Sequence, residues 1–238
     1  MSTKIVLVFF NRLNSFLKKH KSHICSSIFN NFKQMKRTTF LATAICALSL
    51  FQSCTNCPND SKPQNGQSPI ENIMTRTSIR QFDGSTVSQG QIDTILKAAM
   101  AAPTAMNKQP WDFIVVTDQE KLNQLAQAHP YAPIKKGCNL VISVCGNFQK
   151  AAEGTAREYW VQDASAATEN ILLAVNALGL GAVWCGVYPM EDRIKAISEV
   201  LEIPEYIVPL NIICIGKPAE NPTPKNKWTD SNVHQNKW

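Results

Sequence analysis

Apolar positions recur in two periods along this chain, and their alternation outlines a domain that mixes helices with strands. Ser88 and Gln91 stand three apart in front of Ile92, Ile95, Leu96 and Ala99. That spacing predicts a capping box followed by an amphipathic helix, with Val87 and Ile92 placed to form a hydrophobic staple. Pro103 stops the helix. The run 112–116 predicts a strand, after which Thr117 and Glu120 predict the cap of a second helix through Leu122, Leu125 and Ala126. Residues 139–146 form a continuous apolar run of the kind expected of a buried strand. From Ala151 to Leu178 the period is helical, with Trp160, Ala164, Ala167, Ile171, Ala174 and Leu178 three or four apart. Small residues dominate that stripe, which suits either a central packing helix or contact with a second copy of the chain. Gly179 and Gly181 end it; 182–188 then reads as extended, 191–201 as a short helix and 208–216 as a last strand, before a polar tail. Helices and strands alternate with no repeat or internal linker, so the class is α/β or α+β.

Charge changes this picture only at the amino terminus. The net charge is +6, but eight of the 24 basic residues lie in residues 1–53, where there is no acidic residue. The other 185 residues therefore hold 16 basic against all 18 acidic groups. A near-neutral domain with scattered cations is not a nucleic-acid surface. From Met35, the basic pair Lys36 and Arg37, the apolar run Phe40–Phe51 and small or polar residues up to Cys54 follow the order of a secretory signal. The run is short for a spanning helix, which needs about 20 apolar residues. The sequence Leu50–Cys54 resembles a loose bacterial lipobox. We therefore expect residues 1–34 to be an upstream extension, 35–53 a lipoprotein-type signal peptide, 54–70 a flexible tether and 71–238 the folded domain. Lipid on Cys54 would anchor it to the periplasmic or outer face of a bacterial envelope. Cys138, Cys145, Cys185 and Cys214 sit in or beside apolar stretches, where a free Cys packs as a small hydrophobe.

Two segments and the tail carry candidate chemistry. In 75–82, Arg76, Ser78 and Arg80 alternate, so an extended chain projects two guanidinium groups and a hydroxyl from one face. That makes a cradle for an anionic group, although a solvated strand face has the same pattern. Residues 103–111, PTAMNKQPW, form a loop leading directly into a strand. Asn107 and Gln109 could meet the edge of a planar heterocycle, or the loop could be a structural turn with Trp111 filling the core. Lys225 and Lys227 also alternate, as a second half of an anion site or as an ordinary charged tail. Residues 179–186 lack a G-x-G-x-x-G or Walker pattern, and the domain has only His129 and His234 and no nucleophile elbow. Hydrolysis is not the expected chemistry.

Taken in order from Ile73 to Trp228, these segments resemble the nitroreductase family. RTSIRQF is similar to its Arg-x-Ser-x-Arg/Lys-x-Phe opening, PTAMNKQPW to its Pro-Ser-Ser-x-Asn-x-Gln-Pro-Trp loop, and 163–189 to its central helix and flavin-facing segment. The resemblance implies an α+β fold with a mostly antiparallel sheet flanked by helices, in an intertwined homodimer whose FMN sites draw on both subunits. It implies that Arg76, Ser78, Lys225 and Lys227 hold the flavin phosphate and that Arg80 lies against N1 and the C2 carbonyl. Pro103, Thr104, Ala105 and Asn107 would line the ring and ribityl chain, while Trp184, Cys185 and Gly186 approach N5. Two departures stand out: one hydroxyl is lost at Pro103-Thr104-Ala105, and both tail cations are Lys where Arg is frequent. The implied reaction is ping-pong: NAD(P)H gives hydride to the flavin, and a small acceptor such as a nitroaromatic or quinone then takes the electrons. The alternative is a membrane-anchored flavin protein that relays or senses electrons without turnover.

Overall fold

The computed structural model describes residues 68–238. The expected upstream extension, the signal peptide, Cys54 and nearly all of the tether lie outside the described residues. The chain runs α1 (Pro69–Thr75), α2 (Gln89–Met100), β1 (Trp111–Val116), α3 (Gln119–Ala128), β2 (Leu140–Asn147), α4 (Tyr159–Ala177), β3 (Gly181–Gly186), α5 (Glu191–Leu201) and β4 (Ile207–Gly216). Ser68 caps α1, so a helix begins inside the stretch expected as tether.

The sheet has the order β1-β2-β4-β3, with every neighbouring pair antiparallel. Of the two classes left open by periodicity, α+β is therefore the observed one. Alternation along each strand sends side chains to two cores. Val141, Val183, Cys185, Ile212 and Cys214 face α3 and α5, where Leu122, Leu125 and Ile197 meet them. Leu140, Ile142, Val144, Ala182, Ile213 and Ile215 face α2 and α4 and pack on Ile95, Ala99, Ala164 and Ile171. Both sheet faces are thus covered, which is why β2 and β4 read as continuous apolar runs rather than alternating ones. A register shift between Val144 and Cys145 lets β4 keep this two-sided packing past Pro209.

The capping box of α2 is present as expected, with Ser88 and Gln91 each bonded to the other's backbone. The second cap is different. Asp118, not Thr117, accepts from the Lys121 amide, and α3 starts at Gln119. A carboxylate one residue later outcompetes the hydroxyl, because it binds the exposed amides with a full charge at the positive end of the helix. The long helix is also shorter than its period, since Gly154–Glu158 forms a 3-10 turn before α4 proper. Trp160, Ala164, Ala167 and Ile171 are buried as predicted, and α4 packs against the sheet and α2. One polar link ties this layer together: buried Asn211 of β4 donates to Thr168 Oγ1 at 2.9 Å, and Thr168 donates to the Ala164 carbonyl at 2.8 Å.

Candidate functional site

The segment 76–82 is extended, and its place is fixed by main-chain bonds on both sides. Ser78 bridges Ala182 of β3 in parallel, and the Ile79 amide donates to the Ala182 carbonyl at 2.9 Å. On the other side, the Ala219 amide donates to Gln81 O at 2.9 Å and the Asp83 amide to Lys217 O at 3.0 Å. Glu220 Oε1 accepts from the amides of Arg80 and Gln81. Ile79 and Phe82 turn into the core, which leaves Arg76, Ser78 and Arg80 on the outer side.

That arrangement brings the segment alongside the residues that follow β4. A cleft of about 560 Å³ is lined by Arg76, Ser78 and Arg80 from one strand-like segment and by Lys225, Lys227 and Trp228 from the tail. Among the described residues no carboxylate lines it. Four cations and a hydroxyl around one cleft have the chemistry to hold an anion; charge-assisted bonds to phosphate oxygens contribute about 1.5–3 kcal/mol each. Two carboxylates sit at its margin: Glu220, bonded to the Arg80 and Gln81 amides, and Glu169 of α4, whose Oε1 lies 3.6 Å from Arg76 Nε. Arg76 is the more buried partner, so Glu169 aims the guanidinium while its own carboxylate stays half in water.

The loop 103–109 is shaped without glycine. Met106, Asn107 and Gln109 all have positive φ, between 50° and 52°, although none is Gly. Each such residue costs about 1–2 kcal/mol, so the loop must be held from outside. Asp163, 6% exposed, supplies one tether by accepting from the Ala105 amide at 2.9 Å. Thr104 Oγ1 accepts from the Gln109 amide at 3.1 Å, and Gln109 Nε2 donates to Asn107 Oδ1 at 3.1 Å. Sequence reading missed Asp163, yet a signal was there: it lies three residues after Trp160, on the buried side of an otherwise Ala-rich stripe. The loop's Lys108 and Gln109 open onto a different cleft of about 570 Å³, with Leu96, Met100, Trp111 and Phe113.

Pro103, Thr104, Ala105 and Asn107 therefore do not line the cationic cleft formed by the same chain. Neither do Trp184, Cys185 and Gly186. Trp184 and Cys185 leave β3 on opposite faces; Trp184 is 36% exposed on the side of Ala182, whereas the Cys185 thiol is buried against α3 and α5. What Cys185 offers on the outer face is its main chain. At the end of β3, the Gly186 carbonyl is pinned by two donors that the sequence did not reveal. His129 Nε2 lies 3.0 Å from it, and Arg193 Nη1 donates to it at 3.1 Å. His129 is buried, and Arg193 also stacks over Tyr131, its guanidinium 5.5 Å from the ring centre.

The family model described as Nitroreductase family matches residues 73–130 and 126–217. A protein of Methanothermobacter thermautotrophicus named for NADH dehydrogenase and NAD(P)H nitroreductase activity is 43% identical over 171 residues, covering 71% of this chain and 87% of its own. A crystal structure of a Parabacteroides distasonis protein with the same designation superposes with a TM-score of 0.68 at 39% identity, over 73% of this chain and 100% of that one. The NADPH:FMN oxidoreductase of Vibrio harveyi, solved with NAD+, superposes at 0.65 with 28% identity, over 71% and 77% of the two chains.

Proposed function

The chain belongs to the nitroreductase family, and from that membership we propose that it is an FMN-dependent oxidoreductase driven by reduced nicotinamide. The observation that carries the cofactor assignment is the cleft that gathers Arg76, Ser78, Arg80, Lys225 and Lys227, with no carboxylate among the described residues of its wall. Its chemistry fits a phosphate. In this reading Arg76, Ser78, Lys225 and Lys227 hold the phosphate, and Arg80 turns its charge toward the ring, where it favours the negative charge gained on reduction. Bound FMN would accept hydride from NAD(P)H and pass electrons to a second substrate; the protein's part is to bind, orient and shield. The polar residues that do so need no proton-transfer role, in keeping with a domain that holds only two His.

Thr104, Ala105 and Asn107 enter the same reading through a second copy of the chain. They stand apart from the cationic cleft of their own chain, so a homodimer in which each site draws on both subunits is the arrangement that unites the two halves. Nitroaromatics, quinones and similar small acceptors are the substrate class, with donor and acceptor occupying one cavity in turn. We further propose that Cys54 carries lipid and anchors the domain to the outer face of a membrane, a reading that rests on the signal-like sequence alone. An anchored enzyme outside the cytoplasm meets little nicotinamide, so the physiological donor is the quantity to measure first.

The deciding experiment is anaerobic titration of the purified full-length protein, supplied with FMN, by NADH and by NADPH. Bleaching of the flavin's visible absorption band supports the reading. Flavin that binds but stays oxidised overturns the nicotinamide donor, and failure to bind FMN overturns the assignment as a whole.

A further inference from the structure

Between the end of β4 and the two tail lysines, the chain is fastened to the segment 76–82 over one short stretch. Residues 217–220 run antiparallel to 80–83: Phe82 bridges Pro218, the Asp83 amide donates to Lys217 O at 3.0 Å and the Ala219 amide to Gln81 O at 2.9 Å. At the end away from the cleft, the Lys217 ammonium lies 3.2 Å from the Asp83 carboxylate. At the cleft end the main-chain pairing stops and a side chain takes over. Glu220 Oε1 accepts from the amides of both Arg80 and Gln81, the second at 3.2 Å. Among the described residues this is the last hydrogen-bonded link between the tail and the rest of the domain. Those beyond it join only close neighbours, as from the Trp228 amide to Asn226 and from the Trp228 indole to Asp230.

This link stands between the two halves of the cationic cleft. On one side of it is Arg80, whose side chain lines the cleft; on the other, the chain continues through Pro222 and Thr223 to Lys225 and Lys227, which line the same cleft. The conformational entropy of an unfastened tail opposes bringing its lysines to one anion, and a tail tied down beforehand loses less of it on binding. The choice of acceptor matters as well. Glu220 is occupied by main-chain amides, and among the described residues Arg80, Lys225 and Lys227 form no salt bridge. The carboxylate thus orders the cations without pairing with them.

We propose that Glu220 is a positioning residue for the cationic cleft: its carboxylate clamps the tail to the segment 76–82, so that Arg80, Lys225 and Lys227 converge on one phosphate. This role rests on the phosphate reading of the cleft. A carboxylate at the margin of such a site can act in two ways, and they have opposite signs. As a bare charge, Glu220 would repel the anion, and any neutral replacement would tighten binding. As a clamp, it works through an acceptor oxygen, which Gln retains and Ala lacks.

The test is fluorescence titration of the full-length apoprotein with FMN, in the parent, Glu220→Ala and Glu220→Gln, with Lys225→Ala added to the parent and to Glu220→Ala. Glu220→Ala should raise the dissociation constant roughly tenfold, the worth of about one charge-assisted bond, and Glu220→Gln should stay within about threefold of the parent. Lys225→Ala should weaken binding several-fold in the parent but by less than about twofold once the clamp is gone, the non-additivity of residues that act together. In the apoprotein, hydrogen exchange at the Arg80 and Gln81 amides should quicken in Glu220→Ala and not in Glu220→Gln. Undiminished FMN affinity in Glu220→Ala, equal losses from Lys225→Ala in both backgrounds, or unchanged exchange overturns the role given to Glu220. A parent that takes up no FMN overturns the phosphate reading and the role with it, so the parent alone tells the two failures apart.

Discussion

Replacing Asp163 with Ala should loosen the loop that carries Thr104, Ala105 and Asn107 and weaken flavin binding without touching the cationic cleft. Asp163 is buried on α4, and its side chain accepts from the Ala105 amide at 2.9 Å. Hydrogen bonds to charged groups are worth about 1.5–3 kcal/mol, and truncation leaves a half-buried amide without a partner. The loop has little reserve against this, because three of its residues hold positive φ without being Gly and each costs about 1–2 kcal/mol. If the whole loss falls on the binding-competent shape of the loop, the FMN dissociation constant rises roughly 10- to 150-fold, since each 1.4 kcal/mol is about a factor of ten. Asp163→Asn keeps an acceptor oxygen and should lose several-fold less. The assay is fluorescence titration of the apoprotein with FMN, paired with thermal unfolding to show that the apoprotein still folds. A dissociation constant within twofold of the parent would refute the argument that Asp163 holds a flavin-binding loop.

Other outcomes follow from the same geometry. Arg76→Ala should weaken FMN binding by about tenfold or more, because one charge-assisted bond to the phosphate is lost; unchanged affinity in titration removes Arg76 from the site. Gly181→Ala would place a Cβ 2.7 Å from Ile79 Cβ, and overpacking of this kind costs about 1–3 kcal/mol, or roughly 2–10 °C in Tm for a domain of this size; an unshifted melting curve would count against it. Burial raises the Cys145 thiol from 9.0 to about 11, so the fold favours its neutral form. That contribution is complete below the unfolded value and lost as pH rises through the folded one. The parent should therefore lose Tm relative to Cys145→Ala between about pH 9 and 11; parallel curves contradict this. Finally, Cys54→Ala should abolish partition into membranes, and undiminished partition would end the lipid-anchor reading.

Local structure was largely legible in the sequence, and what escaped was long-range. The α2 capping box, the apolar stripes of α3 and α4 and the four strands lie within a few residues of the groups that specify them. The alternation of Arg76, Ser78 and Arg80 was also readable, because a strand's period requires no partner. That Lys225 and Lys227 close the same cleft came from resemblance, since nothing local links residues some 150 positions apart. Asp163, Glu169 and Glu220 went unnoticed for the same reason: each acts on a segment between 58 and 140 residues away. His129 looked idle because its partner is a carbonyl, and any residue can supply a carbonyl. Spacing predicts Thr117 as the cap where Asp118 serves, a contest between neighbours that only the observed hydrogen bond settles.

The strand order carries a consequence for how the protein is made. Among the described residues, β3 is held on one side by the isolated bridge from Ser78 and on the other by β4, which also pairs with β2 and is the last of the described strands to be synthesised. A nascent chain ending near Leu201 possesses the β1–β2 pair and β3, but β3 still lacks the strand that joins it to that pair. The sheet can close only when residues 207–216 have emerged, and the cationic cleft only after 225–227. The complete sheet is therefore available only once β4 has left the ribosome.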